Sequence, residues 1–265
     1  MNIIVIIKAV PIIEEEVELK EKGTDIKKEY LKHELNEWDN YALENALQLT
    51  EKHGGEVTAI TISSESRKKH AQQVLWECFA KGVNNAIHVI DEAVEEFDAY
   101  TLVKTLHAVI KDLSFDLILI GIQTSDDNNT QTGPMLAELL GRPYSSIITN
   151  LVIKEAGVAT VYQELEEGVQ RVIEIKIPAL FTIQTNPDNL PRYASFSKIR
   201  RAMRREIKTL TLSDLNLDRN EVLSLRKTIV SRMNIPVAEK AVKIIEGSPE
   251  ESAAELARIL REVLA

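Results

Sequence analysis

The sequence predicts an α/β protein: a doubly wound, mainly parallel sheet with helices on both faces, an antiparallel hairpin extension and a C-terminal tail. Three observations carry this. Strand-like and helix-like segments alternate from the N-terminus to residue 140, the order that produces parallel strands with crossover helices. Ile3–Ile7 and Leu117–Gly121 are almost unbroken apolar runs, as strands buried on both faces are. Beyond residue 147 the runs are joined by short Gly-containing turns, which reads as antiparallel pairing.

The elements follow in order. After the strand at Ile3–Ile7 comes a charged loop, roughly Glu14–Glu34. Asn36-Glu37-Trp38-Asp39 reads as a helix start, with Asn36 as side-chain cap and acids in the first turn. That helix places Tyr41, Ala42, Leu43, Ala46, Leu47 and Leu49 at helical spacing and stops at Gly54-Gly55. Val57–Ile62 is the next strand, then a helix over 66–81, a strand over 86–90 and a helix over 100–112. The strand Leu117–Gly121 is followed by the loop Gln123–Thr132 and a helix over 133–140. Strands at 147–154, 158–164 and 171–177 form the hairpin extension, and Ala179–Ile183, after Pro178, is a last apolar strand. Residues 210–220 read as loop. Val237–Glu246 and Glu250–Leu264 read as helices, with Ser248 capping the second ahead of Pro249. This tail either docks on a partner or packs on its own domain.

Composition narrows the function. Hydrophobic residues make up 44% of the chain, enough for a substantial core, and the formal charge of −9 disfavours duplex nucleic acid. Against that average, Lys198, Arg200, Arg201, Arg204, Arg205 and Lys208 cluster in one short stretch. The apolar N-terminus is too short to span a bilayer and has neither a signal peptide's basic leader nor a transit peptide's character, so the expectation is a soluble, cytoplasmic protein. The single cysteine, Cys78, suits a reducing compartment and reads as an inert core thiol. The five histidines show no metal-ligand spacing.

The segment Gly121–Pro134 carries the most chemistry. It leaves the carboxyl end of a parallel strand and enters a helix, the position at which open α/β sheets bind ligands. Asn128, Asn129, Thr130, Gln131 and Thr132 all bear amide or hydroxyl groups and precede a helix N-terminus, which suits a phosphate. Asp126 and Asp127 either accept from ribose hydroxyls or hold the loop in shape. A polar surface loop without a ligand is the plain alternative, and neither a glycine-rich dinucleotide fingerprint nor a Walker A motif is present.

Ser125-Asp-Asp-Asn-Asn-Thr-Gln-Thr-Gly-Pro134 resembles the nucleotide loop of electron transfer flavoprotein beta subunits. Lys8-Ala-Val-Pro11, Asn36-Glu-Trp-Asp-Asn-Tyr-Ala-Leu-Glu44 and Asn189-Leu-Pro-Arg-Tyr-Ala194 resemble three further motifs of that family in the same order, and the likeness covers residues 1–209. The chain departs from the family pattern at Ile12, at Ser63-Ser64-Glu65-Ser66 with a few extra residues, and after Glu167-Gly168.

The resemblance implies an electron-carrier subunit without its own catalytic site, acting with a larger alpha subunit that holds the main FAD. It implies AMP in this subunit, bound by Ile6, Asn36, Trp38, Asp39, Gln123, Asp126, Asp127, Asn128, Asn129, Thr130, Gln131, Thr132 and Gly133, with Trp38 toward the flavin or, alternatively, a core contact of its helix. In flavin-bifurcating relatives a second FAD replaces AMP. Asp127, standing where those relatives have glycine, favours AMP. The resemblance also implies a recognition loop within 189–205 that docks flavin dehydrogenases through Pro191, Tyr193, Phe196, Arg200 and Arg204, and a 210–265 extension that docks on the alpha subunit. A stand-alone adenylate-binding regulator is the competing reading, and it needs neither loop nor tail.

Overall fold

The first strand, β1 (Asn2–Ile6), is buried on both sides, as its unbroken apolar run requires. In the computed structural model, which describes residues 1–13, 17–27, 31–155, 157–235, 242 and 244–264, Ile3, Val5 and Ile7 enter one core cluster while Ile4 and Ile6 enter another. The chain then forms a small antiparallel pair, β2 (Ala9–Pro11) with β3 (His33–Leu35), inside what reads as loop from sequence.

Helices and strands then alternate as expected: α1 (Glu37–His53), β4 (Glu56–Ser63), α2 (Lys68–Lys81), β5 (Asn85–Ile90), α3 (Ala99–Ile110), β6 (Leu117–Gly121) and α4 (Thr132–Leu140). Tyr41, Leu43, Leu47, Leu75 and Phe79 of α1 and α2 pack with the odd residues of β1; Val103, Leu106, Ile110 and Leu136 of α3 and α4 pack with the even ones. Strand alternation thus sends successive side chains into two separate layers. The α3 start is a full capping box: the Asp98 side chain takes the Thr101 amide at 2.9 Å and Thr101 Oγ1 takes the Asp98 amide at 2.9 Å.

Strands β7 (Tyr144–Glu155), β8 (Val158–Glu164), β9 (Gln170–Lys176) and β10 (Ala179–Ile183) complete one side of the sheet; α5 (Phe196–Ala202) follows, and β11 (Lys208–Leu210) completes the other. The nine-stranded order is β11-β5-β4-β1-β6-β10-β7-β8-β9. It is parallel from β11 to β7 and antiparallel through β7-β8-β9. β7 begins earlier than its sequence suggests: Tyr144 and Ser145, after Pro143, look like loop but pair with Leu180 and Phe181. The strand then changes partner from β10 to β8 around Ile147, whose φ of 56° is unusual for a β-branched residue.

Two elements fall in or overlap 210–220, where sequence suggests loop: a 3-10 turn at Ser213–Leu215 and the short helix α6 (Arg219–Ser224), capped by Asp218 through the amides of Asn220 and Glu221. The sequence lacks the length of apolar periodicity that would reveal a helix of six residues. Met1–Ser231 form one compact unit and Arg232–Ala265 a second. Of the helix expected over 237–246, residues 242 and 244–246 are not helical; the others lie outside the described residues. In the second unit α7 (Pro249–Leu264) has the expected Ser248 cap, with reciprocal Ser248–Glu251 bonds. Leu256, Leu260 and Val263, on one α7 face, are exposed. No helix among the described residues is long and apolar enough to cross a membrane.

Candidate functional site

Strand order reverses between β1 and β6: β4 and β5 build outward on one side of β1, β6 and β10 on the other. At such a switch point the two connecting loops diverge and leave a crevice at the carboxyl ends. A cleft of about 260 Å³ opens there. Ile6 of β1 with Ile7 and Lys8 just beyond it, Gly121 of β6 with residues 122–124 just beyond it, Ile62 of β4, the start of α3 and Thr132 of α4 line it.

Asp39 sets the two strand ends. It is buried, and its carboxylate accepts the Lys8 amide and the Gly121 amide, both at 2.9 Å. Burial pushes its carboxyl up to about 7, against the opposing pull of those amide donors. α1 approaches so closely that a Cβ on Gly121 would stand 2.5 Å from Asp39 Oδ1 and 2.7 Å from Trp38 Cβ. Glycine is the residue this contact admits.

Asn36 occupies the cap position of α1, but its side chain makes no cap bond. Its Nδ2 donates to the Gln123 carbonyl at 2.8 Å, and its Oδ1 accepts from the Ser125 amide at 3.2 Å. The capping expectation is therefore corrected: a bridge to the loop 87 residues away replaces a local bond. Trp38, half-buried, donates its indole N–H to Gln184 Oε1 at 2.8 Å.

Lys8 closes the loop from below. Its ammonium reaches Asp126 at 2.8 Å, Thr124 Oγ1 at 3.4 Å and the Asp127 carboxylate. Both aspartates are thus tied to the end of β1. Above them, Asn128 and Thr130 adopt positive φ, 49° and 53°. Asn tolerates this conformation, whereas β-branched Thr pays a strain cost, a pattern concentrated at ligand-holding loops. Thr130 is followed by right-handed Gln131, which begins α4 without a side-chain cap bond. A left-handed residue beside a right-handed one turns successive amides into an anion-binding concavity, and the first amides of α4 lack side-chain partners. Gly133 is buried against Thr182, where any Cβ would clash.

Of the residues expected here, Ile6, Asp39, Gln123, Asp127, Asn129, Thr130 and Thr132 line the cleft, whereas Asn36, Trp38, Asp126, Asn128, Gln131 and Gly133 surround and support it. Lys8, Arg67, Phe97, Asp98 and Val230 also line it and are not among the binding residues expected from sequence. For Lys8 a signal existed: the first charged residue after a buried strand lies at the carboxyl edge. Val230 arrives through a clasp. Asp98 Oδ2 accepts the Lys227 and Thr228 amides at 2.7 and 3.0 Å, and Arg226 bonds Glu96. Burial works to raise the Asp98 carboxyl, but the amides of Thr101, Lys227 and Thr228 together outweigh it and hold the group at about 2.

The 189–205 segment is moored by Arg192, whose guanidinium bonds Glu44 and Glu51 while its amide bonds Glu44. Ala194 is buried, and Tyr193 and Phe196 stand 82% and 84% exposed on either side. Pro191 is half-buried; Arg200 and Arg204 are exposed. Arg205 departs from a purely solvated role: it bonds the Val83 and Asn84 carbonyls and lies 4.3 Å from the Phe79 ring centre.

Fold and crevice together define a doubly wound α/β protein with a cleft at the switch point. The model of the "Electron transfer flavoprotein domain" family matches residues 25–215. The chain is 34% identical to an electron transfer flavoprotein subunit beta of Methylophilus methylotrophus over 99% of its length and 98% of that protein's. It is 36% identical to the subunit beta of Bacillus subtilis over 86% of its length and 85% of that protein's. It is 29% identical to protein FixA of Azotobacter vinelandii over 80% and 76% respectively. The chain belongs to the electron transfer flavoprotein beta-subunit family. Members are electron carriers, and a beta subunit implies an alpha-subunit partner.

Proposed function

We propose that the chain is the adenylate-binding subunit of a heterodimeric electron transfer flavoprotein, with AMP in the β1/β6 cleft and the redox-active FAD held mainly by the alpha subunit. Bound FAD would supply the one- and two-electron chemistry. This chain's residues position ligands and partners. The observation that carries the reading is the cradle at 130–132: a positive-φ Thr130, right-handed Gln131 and an α4 start without a side-chain cap, all at the switch point. The cradle suits one phosphate. A diphosphate needs more positive charge, and of the two cations that line the cleft among the described residues Lys8 is committed to Asp126 and Asp127 while Arg67 stands beside the Glu95 carboxylate. That favours AMP over a second FAD.

In this reading Trp38 faces the flavin of the alpha subunit, residues 210–265 dock on that subunit, and 189–205 meets dehydrogenases that donate electrons. The pair would work in the cytoplasm, where a lone buried thiol such as Cys78 stays reduced. Mass spectrometry of the ligands released from denatured native heterodimer tests the assignment. One AMP and one FAD per dimer is the expected count; two FAD and no AMP, or no nucleotide, overturns it.

A further inference from the structure

The cleft crosses three strand ends, β4, β1 and β6, two strand spacings or about 10 Å. The 130–132 cradle stands at the β6 side. At the β4 side the wall is Ile62, Val94 and Phe97, with one cation among them, Arg67. Arg67 belongs to the Ser63–Arg67 connection, where the chain departs from the family pattern. Its Nε donates to Ser64 Oγ at 3.2 Å and lies 3.6 Å from Glu95 Oε1. Glu95 in turn accepts from Ser64 and Ser66, both at 2.5 Å. The guanidinium is therefore fixed through its inner nitrogen. Among the described residues neither terminal nitrogen has a hydrogen-bond partner.

We propose that Arg67 reads the nucleobase, donating from a terminal nitrogen to a ring-nitrogen acceptor of a purine seated between Ile62, Val94 and Phe97. The inference rests on the adenylate reading above and deepens it. A second phosphate is the competing occupant, and two observations disfavour it. The Glu95 carboxylate beside Arg67 balances its charge and would repel a phosphate. The neighbouring wall is apolar, and suits a flat heterocycle that presents a neutral acceptor. A planar, fork-shaped donor fixed at one end loses little freedom when it makes such a bond.

The test is equilibrium binding of AMP, adenosine and ribose 5-phosphate to nucleotide-depleted heterodimer, for the parent protein, Arg67→Gln and Arg67→Lys. Loss of one hydrogen bond to a charged donor corresponds to about a tenfold change in affinity. Arg67→Gln should weaken AMP and adenosine by the same roughly tenfold factor and leave ribose 5-phosphate unchanged. Arg67→Lys keeps the charge and covers the case in which the glutamine variant misfolds; it should show the same pattern, because lysine has no inner N–H with which Ser64 can fix the side chain while its terminal nitrogen donates. Weakening of AMP and ribose 5-phosphate with adenosine spared would place Arg67 on the phosphate and overturn the proposal, as would three unchanged affinities. If the parent protein binds no adenylate, the broader reading fails instead, so the two failures are distinguishable.

Discussion

Asp39 Oδ1 accepts the Gly121 amide at 2.9 Å while Asp39 Oδ2 accepts the Lys8 amide at the same distance, so one buried carboxylate bolts together the two strands that flank the cleft. Gly121→Ala would drive a methyl group into that bolt and into Trp38. It should destabilise the protein by about 1–3 kcal/mol, read as a lower midpoint in chemical denaturation. Asp39→Asn places a donor against an amide donor and should cost a similar amount. Because both changes strike one contact, the double variant should lose less than the sum of the two. Full additivity would show that the bolt does not act as a unit.

The same carboxylate predicts a pH signature. Burial raises Asp39 to about 7 in the folded protein, above its unfolded value near ~3.9. The folded state therefore holds a proton that the unfolded state has already released. This group's contribution is most favourable below about pH 4 and declines as pH rises through about 7. The stability gap between parent and Asp39→Asn should narrow from pH 4 to pH 8, measured by urea denaturation at a series of pH values. A widening gap would mean that the carboxylate is ionised and well solvated by its amides.

Asp98 has the opposite sign. Its carboxyl is depressed to about 2 by the amides it holds, so the clasp it makes with Lys227 and Thr228 is fully present above about pH 4 and is lost as pH falls through about 2. Asp98→Ala should free residues 226–230 from the mouth of the cleft at neutral pH. Hydrogen exchange at the Lys227 and Thr228 amides should accelerate by at least about tenfold, with α3 core amides unchanged. Equal protection in both proteins would remove the clasp.

How much of this was legible in sequence depends on whether the information was local. Apolar runs and helical spacing revealed the sheet and its layers because each element's burial is written in its own residues. The loop after β6 stands out in sequence because it combines a strand end, polar side chains and a helix start within a dozen residues, and the cleft lies where that combination puts it. What escaped was long-range. Asn36 looks like a helix cap because caps are local, yet its side chain serves Gln123 and Ser125. Lys8 meets Asp126 across 118 residues, a pairing that only the adjacency of β1 and β6 creates. Val230 lines the cleft through Asp98, and Arg205 anchors on Val83 and Asn84. No periodicity carries such contacts.

The 189–205 segment yields the final prediction. Arg192 holds it to α1 through Glu44, which is buried, and Glu51. Phe196, at the first turn of α5, is 84% exposed, so Phe196→Ala should change stability by less than about 0.5 kcal/mol. Its effect should fall on partner binding, where covering an exposed phenyl ring stabilises a complex by about 1.5–3 kcal/mol, chiefly by slowing dissociation. Arg200 and Arg204 are exposed charges on the same helix and its end; Arg200→Glu with Arg204→Glu should slow association instead, and the defect should shrink as salt rises. Arg205 belongs in neither set, because its bonds to Val83 and Asn84 make it structural. Arg192→Ala differs again: it leaves Glu44 without its cation and should cost about 2–3 kcal/mol while also releasing the loop. Stopped-flow electron transfer from a dehydrogenase to the reconstituted heterodimer, paired with denaturation curves, separates the three classes. An Arg192→Ala variant that keeps parental stability would refute the mooring, and a Phe196→Ala variant that transfers electrons at the parental rate with parental salt dependence would remove the loop from the docking surface.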